Sequence, residues 1–289
     1  MAVTRRLKFL SRMAFFALAC TLTGAGAAPA PHKPATDPAG ASAASGGPAG
    51  KENRWAQQII DTLVVGRPEW LKAKGRRFLA LYAQATTDHP KGAVILLHGL
   101  GANPDWPEVI HPLRVELPDH GWSTLSIQLP VRPNGVPAKD YLTLFAPASA
   151  RIQAAVGFLK KRGDTPIVLV GHSLGAAMGA WYLAGHPDTP VRAFAGIGMN
   201  ASKDHPKLDT PTQLAKIKRP VLDLYGSRDL PGVLRSARAR AAAARKAGNG
   251  HYRQQQIAGA DHFFNGLDDQ LVQVVRGWLH TVTKTGAAR

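Results

Sequence analysis

The sequence holds one cysteine, Cys20, in 289 residues, and that cysteine lies near the N-terminus. If the leader that contains it is removed, the mature chain can form no disulfide and carry out no thiol chemistry, so its stability must come from a packed core. Acidic residues are also scarce, with 19 Asp and Glu against 36 Lys and Arg, a formal charge of +17. That imbalance draws the chain toward anionic polymers or surfaces over long range, but no nucleic-acid-binding fingerprint accompanies it and no specific nucleic-acid partner is expected. No His, Asp and Glu residues fall at metal-ligand spacing, so neither metal nor cofactor is expected. Internal repeats are lacking too. With 45% hydrophobic and 19% charged residues, the composition is that of a globular protein with a substantial core, and one main domain is the economical reading.

Arg5, Arg6, Lys8 and Arg12 precede the apolar run Met13 to Leu22, and Ala25-Gly26-Ala27 follows as a small-x-small cleavage site. These three parts make a secretory signal peptide over residues 1–27, which implies a periplasmic or secreted protein after cleavage near Ala27. A membrane anchor is the alternative, but the run falls short of the roughly 20 residues that a bilayer requires, and no transmembrane segment is expected in the mature protein. Arg5-Arg6 leaves a twin-arginine address open, although paired arginines are ordinary in positive leaders. Lipid anchoring at Cys20 is disfavoured by the Ala that stands where lipoprotein signals usually carry Leu. Residues 28–53 are mainly Ala, Pro, Gly and Ser, a composition that buries too little to offset ordering, and read as a disordered tether. The folded domain is placed at residues 54–289. Removing the leader leaves 32 basic residues against 19 acidic, or +13. Arg235, Arg238, Arg240 and Arg245 fall on one predicted helix, which reads as a solvated basic face or as a surface for an anionic envelope component.

Beyond the tether, strand and helix signals alternate. Trp55, Ile59, Ile60, Leu63 and Val64 have helical spacing. Strands are predicted at Arg77–Ala83, Gly92–Leu97, Trp122–Leu129, Pro166–Gly171, Val191–Ile197, Pro220–Tyr225 and Tyr252–Ile257. Between them, helices are predicted from Pro104 to Gly121, through Ile152 and Leu159, from Leu174 to Gly185, from Val233 to Ala247, and from Leu267 onward. Short continuous apolar runs such as Ala93-Val94-Ile95-Leu96-Leu97 suit strands covered on both faces. The pattern predicts a mostly parallel sheet with helices on both sides. Two segments, Val131 to Pro147 and Asn200 to Lys218, are free to cover a site, and both are short.

The chemistry centres on Pro166-Ile-Val-Leu-Val-Gly171-His172-Ser173-Leu174-Gly175, an apolar strand that ends on a serine between two glycines. A bare G-x-S-x-G arises by chance in roughly one such chain in ten, so context must raise it. Here the motif ends a strand and opens a helix, the sharp turn that lifts a serine hydroxyl off a sheet edge. A serine is a poor nucleophile without a base in hydrogen-bond reach, and that base needs an acid to hold its tautomer. His262, in Gly259-Ala-Asp-His262-Phe after the last strand, is the candidate base. Asp229, after the strand ending at Tyr225, is the candidate acid. Asp261 is disfavoured because it adjoins the histidine, and Asp223 because it should point into or across the sheet. Each of Ser173, Asp229 and His262 follows the carboxyl end of a strand, where open α/β sheets build their sites. The N–H groups of Leu174 and of Leu100, which follows His98-Gly99, are the candidate oxyanion donors. His98 and His172 read as orienting or packing residues.

From about Trp55 to Thr281 the chain resembles the α/β-hydrolase superfamily, and within it the bacterial family called domain of unknown function 3530. The resemblance is carried by Leu97-His98-Gly99, Asp105-Trp106-Pro107, His111-Pro112-Leu113-Arg114, Gly121-Trp122-Ser123-Thr124-Leu125, Gly171-His172-Ser173-Leu174-Gly175-Ala176, Leu222-Asp223-Leu224-Tyr225-Gly226, Gly259-Ala260-Asp261-His262 and Gly277-Trp278-Leu279. It implies the α/β-hydrolase fold and the positions of the Ser, Asp and His, but no substrate. The expected activity is hydrolysis of an ester, thioester or related acyl bond, with a small-molecule or acyl substrate in a modest or open cleft. The alternative from another class is a non-catalytic protein of the same fold that binds an anionic envelope component.

Overall fold

The structure, a computed structural model, describes residues 48–284. The expected leader and cleavage site, Cys20 and most of the expected tether lie outside the described residues. Eight strands form one sheet: β1 (Arg67–Ala73), β2 (Arg76–Ala83), β3 (Gly92–Leu97), β4 (Trp122–Ile127), β5 (Ile167–His172), β6 (Val191–Ile197), β7 (Val221–Gly226) and β8 (Tyr252–Ile257). Their order is β1-β2-β4-β3-β5-β6-β7-β8. β2 runs antiparallel to both β1 and β4, and the remaining pairs are parallel. The order reverses at β3, which pairs with β4 on one side and β5 on the other. A crevice opens outside the carboxyl ends of strands at such a reversal.

Strand periodicity explains the two larger cores. Ala93, Ile95 and Leu97 of β3 point to one face and Val94 and Leu96 to the other, and all five are fully buried. The first face meets α3 (Phe145–Arg162) and α4 (Leu174–Gly185), through Ile152, Leu159, Ala176 and Leu183 among others. The second meets α2 (Ile110–Glu116) and α7 (Asp268–Lys284), through Leu113, Leu271, Val275 and Leu279. Lys139–Arg162 is long and apolar enough to cross a bilayer, yet half of it is buried inside the protein, with its apolar face on the sheet.

Four features differ from the sequence reading. Helix α1 (Pro48–Thr62) spans residue 54, so residues 48–53 of the expected tether are helical. Polar contacts hold this early turn: Lys51 Nζ donates to Asn134 Oδ1 at 2.7 Å, and Glu52 pairs with Arg151 at 2.8 Å. Composition alone does not reveal contacts to residues eighty or more positions away. β1 is the second difference, an edge strand with only Leu71 buried and therefore no continuous apolar run. Its hairpin turn is Lys74-Gly75, where both residues have positive φ, 45° and 81°, as a two-residue turn between twisted strands requires. The helix expected from Pro104 to Gly121 is confined to α2, followed by a 3-10 turn at Leu117–His120. Val109 at φ 62° blocks the start and Pro118 opens the tighter turn that ends it. Finally, the arginines of α6 (Pro231–Lys246) do not share one solvated face. Arg240 is fully buried and ion-paired with Asp223 at 2.7 Å, while Arg235, Arg238 and Arg245 are exposed.

The two covering segments are short but ordered into elements. Residues 131–147 contain a 3-10 turn at Ala138–Leu144, and α3 starts within them at Phe145. Residues 200–218 contain a 3-10 turn at Pro206–Leu208 and α5 (Thr210–Lys216), which Asp209 caps through the Thr212 N–H and hydroxyl.

Candidate active site

Ser173 stands at the turn between β5 and α4 with φ 53° and ψ −118°, a conformation that few L-residues adopt. Its N–H donates to the Ile197 carbonyl at 2.8 Å, which ties the turn to β6. The flanking glycines are demanded by close approach. A Cβ on Gly171 would lie 2.7 Å from the Ala176 nitrogen, and one on Gly175 would collide with the Leu97 and His98 carbonyl oxygens. The G-x-S-x-G pattern is thus the steric signature of a helix driven tightly against the end of β3.

His262 and Asp229 come to this serine from loops after β8 and β7. His262 Nε2 lies 2.9 Å from Ser173 Oγ, and His262 Nδ1 lies 2.6 Å from Asp229 Oδ1. Asp229 is buried, and its carboxylate also accepts from the Leu230 N–H at 2.7 Å and the Gly226 N–H at 3.3 Å. With a carboxylate on Nδ1, that nitrogen carries the proton and Nε2 faces the serine hydroxyl as an acceptor. The alternative acids are engaged elsewhere. Asp261 staples its own loop, accepting from the Phe263 and Asn265 N–H groups and the Asn265 amide. Asp223 accepts from Arg240, Tyr252 and Gln254 in the sheet interior.

Two further histidines position the loops. Burial, and then the His262 charge beside it, hold the His172 pKa down at about 4. His172 is therefore neutral at pH 7, and its Nε2–H donates to the His262 carbonyl at 2.9 Å. Burial likewise pushes His98 down to about 4. His98 Nδ1–H donates to the Gly99 carbonyl at 2.9 Å, while Nε2 accepts from the Leu129 N–H at 2.9 Å. This locks the turn after β3 against the end of β4. A residue that sequence reasoning missed is Gly198, at φ 58°, where a Cβ would sit 2.9 Å from the His262 ring. Only its place at the end of the Val191–Ile197 strand could have drawn attention to it.

Leu174 opens α4, so its N–H has no partner within the helix, and the positive end of the helix dipole lies beside Ser173. Leu100 sits on the facing turn and is 50% exposed, so it is not a core residue. That turn touches the serine: a Cβ on Gly99 would be 3.3 Å from Ser173 Cβ. Leu100, Leu174, Ala177, Tyr141, Leu142 and Leu208 wall a cavity of about 190 Å³ that Ser173, Asn200 and Ser202 also line. Both covering segments contribute to it. Among the described residues, no group of three or more His, Cys, Asp or Glu side chains is placed to hold a metal ion.

A family model described as "Protein of unknown function (DUF3530)" matches residues 8–149 and 137–281. The chain belongs to the DUF3530 family. No curated protein matches it. Among solved structures, Est1E from Butyrivibrio proteoclasticus is similar with a TM-score of 0.59 at 14% identity, covering 74% of this chain and 98% of that one. A dienelactone hydrolase from Anabaena variabilis gives 0.57 at 21% identity, with 74% and 98% covered. An α/β serine hydrolase homologue from Coxiella burnetii gives 0.57 at 14%, again with 74% and 98% covered. At these identities the likeness establishes the fold: this DUF3530 protein has the α/β-hydrolase architecture that its strand order displays.

Proposed function

We propose that this DUF3530 protein is an exported serine hydrolase that cleaves an ester, thioester or related acyl bond. The observation that carries the reading is the unbroken chain from Ser173 through His262 to Asp229, at 2.9 and 2.6 Å, at the edge of an apolar cavity. In the proposed reaction Ser173 Oγ attacks the substrate carbonyl carbon as His262 Nε2 removes its proton. Asp229 stabilises the imidazolium that results. The N–H groups of Leu174 and Leu100 receive the oxyanion, each donor contributing about 3 kcal/mol to the barrier reduction. The imidazolium then protonates the leaving group, and the acyl-serine is released by water activated at the same histidine. Asn200 and Ser202, which also line the cavity, offer polar contacts to the substrate.

A cavity of about 190 Å³ suits a short acyl group. The nearby esterases support hydrolysis as the class of reaction through their shared architecture, and the fold alone leaves the substrate open. Export rests on the leader at residues 1–27. The test is turnover of p-nitrophenyl acetate, butyrate, octanoate and palmitate by the mature chain and by Ser173→Ala. Ser173-dependent hydrolysis that declines from butyrate to palmitate is expected. Equal rates for the parent and Ser173→Ala would end the proposal.

A further inference from the structure

A second concavity, of about 320 Å³, is lined by other residues of the covering segment 131–147 and shares no residue with the first. Val131, Leu144 and Pro147 give it an apolar wall. Its charges are one-sided: Lys74, Arg76, Arg132 and Arg151 line it against the single carboxylate of Glu52. Arg151 is already satisfied, since Nη1 donates to the Gln128 carbonyl at 2.8 Å, Nη2 pairs with Glu52 at 2.8 Å, and the guanidinium lies over the Phe78 ring. Lys74, Arg76 and Arg132 have no counter-ion among the described residues.

Arg132 stands out among these. A guanidinium has five N–H groups, yet here only Nη2 donates, to Thr143 Oγ1, and Nε is enclosed with no acceptor. Thr143 in turn donates to the Asp140 carbonyl at 2.7 Å, which fixes its lone pairs toward the arginine. Lys51 grips the same stretch, donating to the Arg132 carbonyl at 3.3 Å and to Asn134 Oδ1 at 2.7 Å. The arginine is therefore held in place while most of its donors remain unused. An enclosed donor without a partner is rare in folded proteins and calls for a ligand or a reason. Three uncompensated cations around one concavity repel each other, and an anion relieves both conditions.

We propose that this concavity binds a small amphipathic anion, a phosphate or carboxylate group on an apolar body. The anionic group pairs with Arg132, Lys74 and Arg76, and the body lies on Val131, Leu144 and Pro147. The site is distinct from the Ser173 cavity and does not rest on the proposed hydrolysis.

The test is calorimetric titration of the mature chain, residues 28–289, with phenyl phosphate, inorganic phosphate and benzyl alcohol at low salt. Phenyl phosphate is expected to bind at least tenfold more tightly than inorganic phosphate, with no binding of benzyl alcohol and weakening as salt is raised. Arg132→Met is expected to weaken phenyl phosphate binding tenfold or more. Arg76→Ala, at an exposed position, provides the second reading if the first variant does not fold, with a loss of several-fold. Covalent blocking of Ser173 by a fluorophosphonate is expected to leave the binding unchanged. Competition by phosphatidylglycerol vesicles would identify a lipid headgroup as the source of the anion, and its absence a free solute. Overturning results are no phenyl phosphate binding at millimolar concentration, equal binding of inorganic phosphate, or binding unaffected by both substitutions.

Discussion

Gly198→Ala probes whether the histidine must sit where it does. Gly198 follows β6 with φ 58°, and its missing side chain leaves the space that the His262 ring occupies. An added methyl would lie 2.9 Å from Cε1 and Nδ1 of the ring and 3.5 Å from Asp229 Oδ2. Ordinary contact begins near 3.4 Å, so the ring must retreat by roughly half an ångström or the β6 turn must open. Retreat lengthens at least one of the 2.9 and 2.6 Å contacts to Ser173 and Asp229. A displacement of about 1 Å in such a constellation costs about a hundredfold in rate, so about tenfold is expected here. The left-handed backbone adds about 1 kcal/mol of destabilisation. Steady-state hydrolysis of p-nitrophenyl butyrate, with urea unfolding alongside, separates the two effects. A variant with unchanged kcat and the expected small stability loss would show that ring position is not critical, and the mechanism as drawn would fail.

Other outcomes follow from the same geometry. Asp229→Asn should fold normally yet lose about 10⁴ in kcat, because the amide favours the wrong imidazole tautomer; a loss under tenfold would remove Asp229 from the reaction. Arg240→Ala leaves the fully buried Asp223 carboxylate without its cation and should destabilise the protein by about 3 to 5 kcal/mol in urea unfolding; a change below about 1 kcal/mol contradicts the importance of that pair. His98 and His172 are held near pKa 4 from an ordinary 6.5, so below pH 6.5 the unfolded chain takes up protons that the folded one refuses. Stability should therefore be fully present above pH 6.5 and decline toward pH 4, by about 3 kcal/mol for each histidine. Thermal unfolding from pH 7 to 4 measures this, and His98→Gln should lessen the decline; an unchanged slope in that variant would mean His98 is not held neutral.

The sequence disclosed most where burial is simple. β3 and β5 are buried along their whole length and read as apolar runs, and the glycines around Ser173 are fixed by close contacts, Gly171 with the first turn of α4 and Gly175 with the end of β3. Chain order brought attention to Ser173, Asp229 and His262, and the structure places their side chains in hydrogen-bond contact. Legibility failed where distant partners decide. β1 is an edge strand with one buried side chain, and its Lys74-Gly75 turn was the available signal. The first turn of α1 is held by residues from the 131–151 region. Arg240 looks like its neighbours in sequence, and only Asp223 across the fold makes it a buried cation. Gly198 is one of 29 glycines, and its meaning comes from the His262 ring brought against it by the loop after β8.

The most direct test of the central claim is labelling of the purified mature chain with a fluorophosphonate probe, beside Ser173→Ala and His262→Ala. One covalent adduct, on Ser173, is expected, and it should disappear in both variants. Failure of the folded parent chain to label, or labelling that persists without His262, would contradict an activated serine.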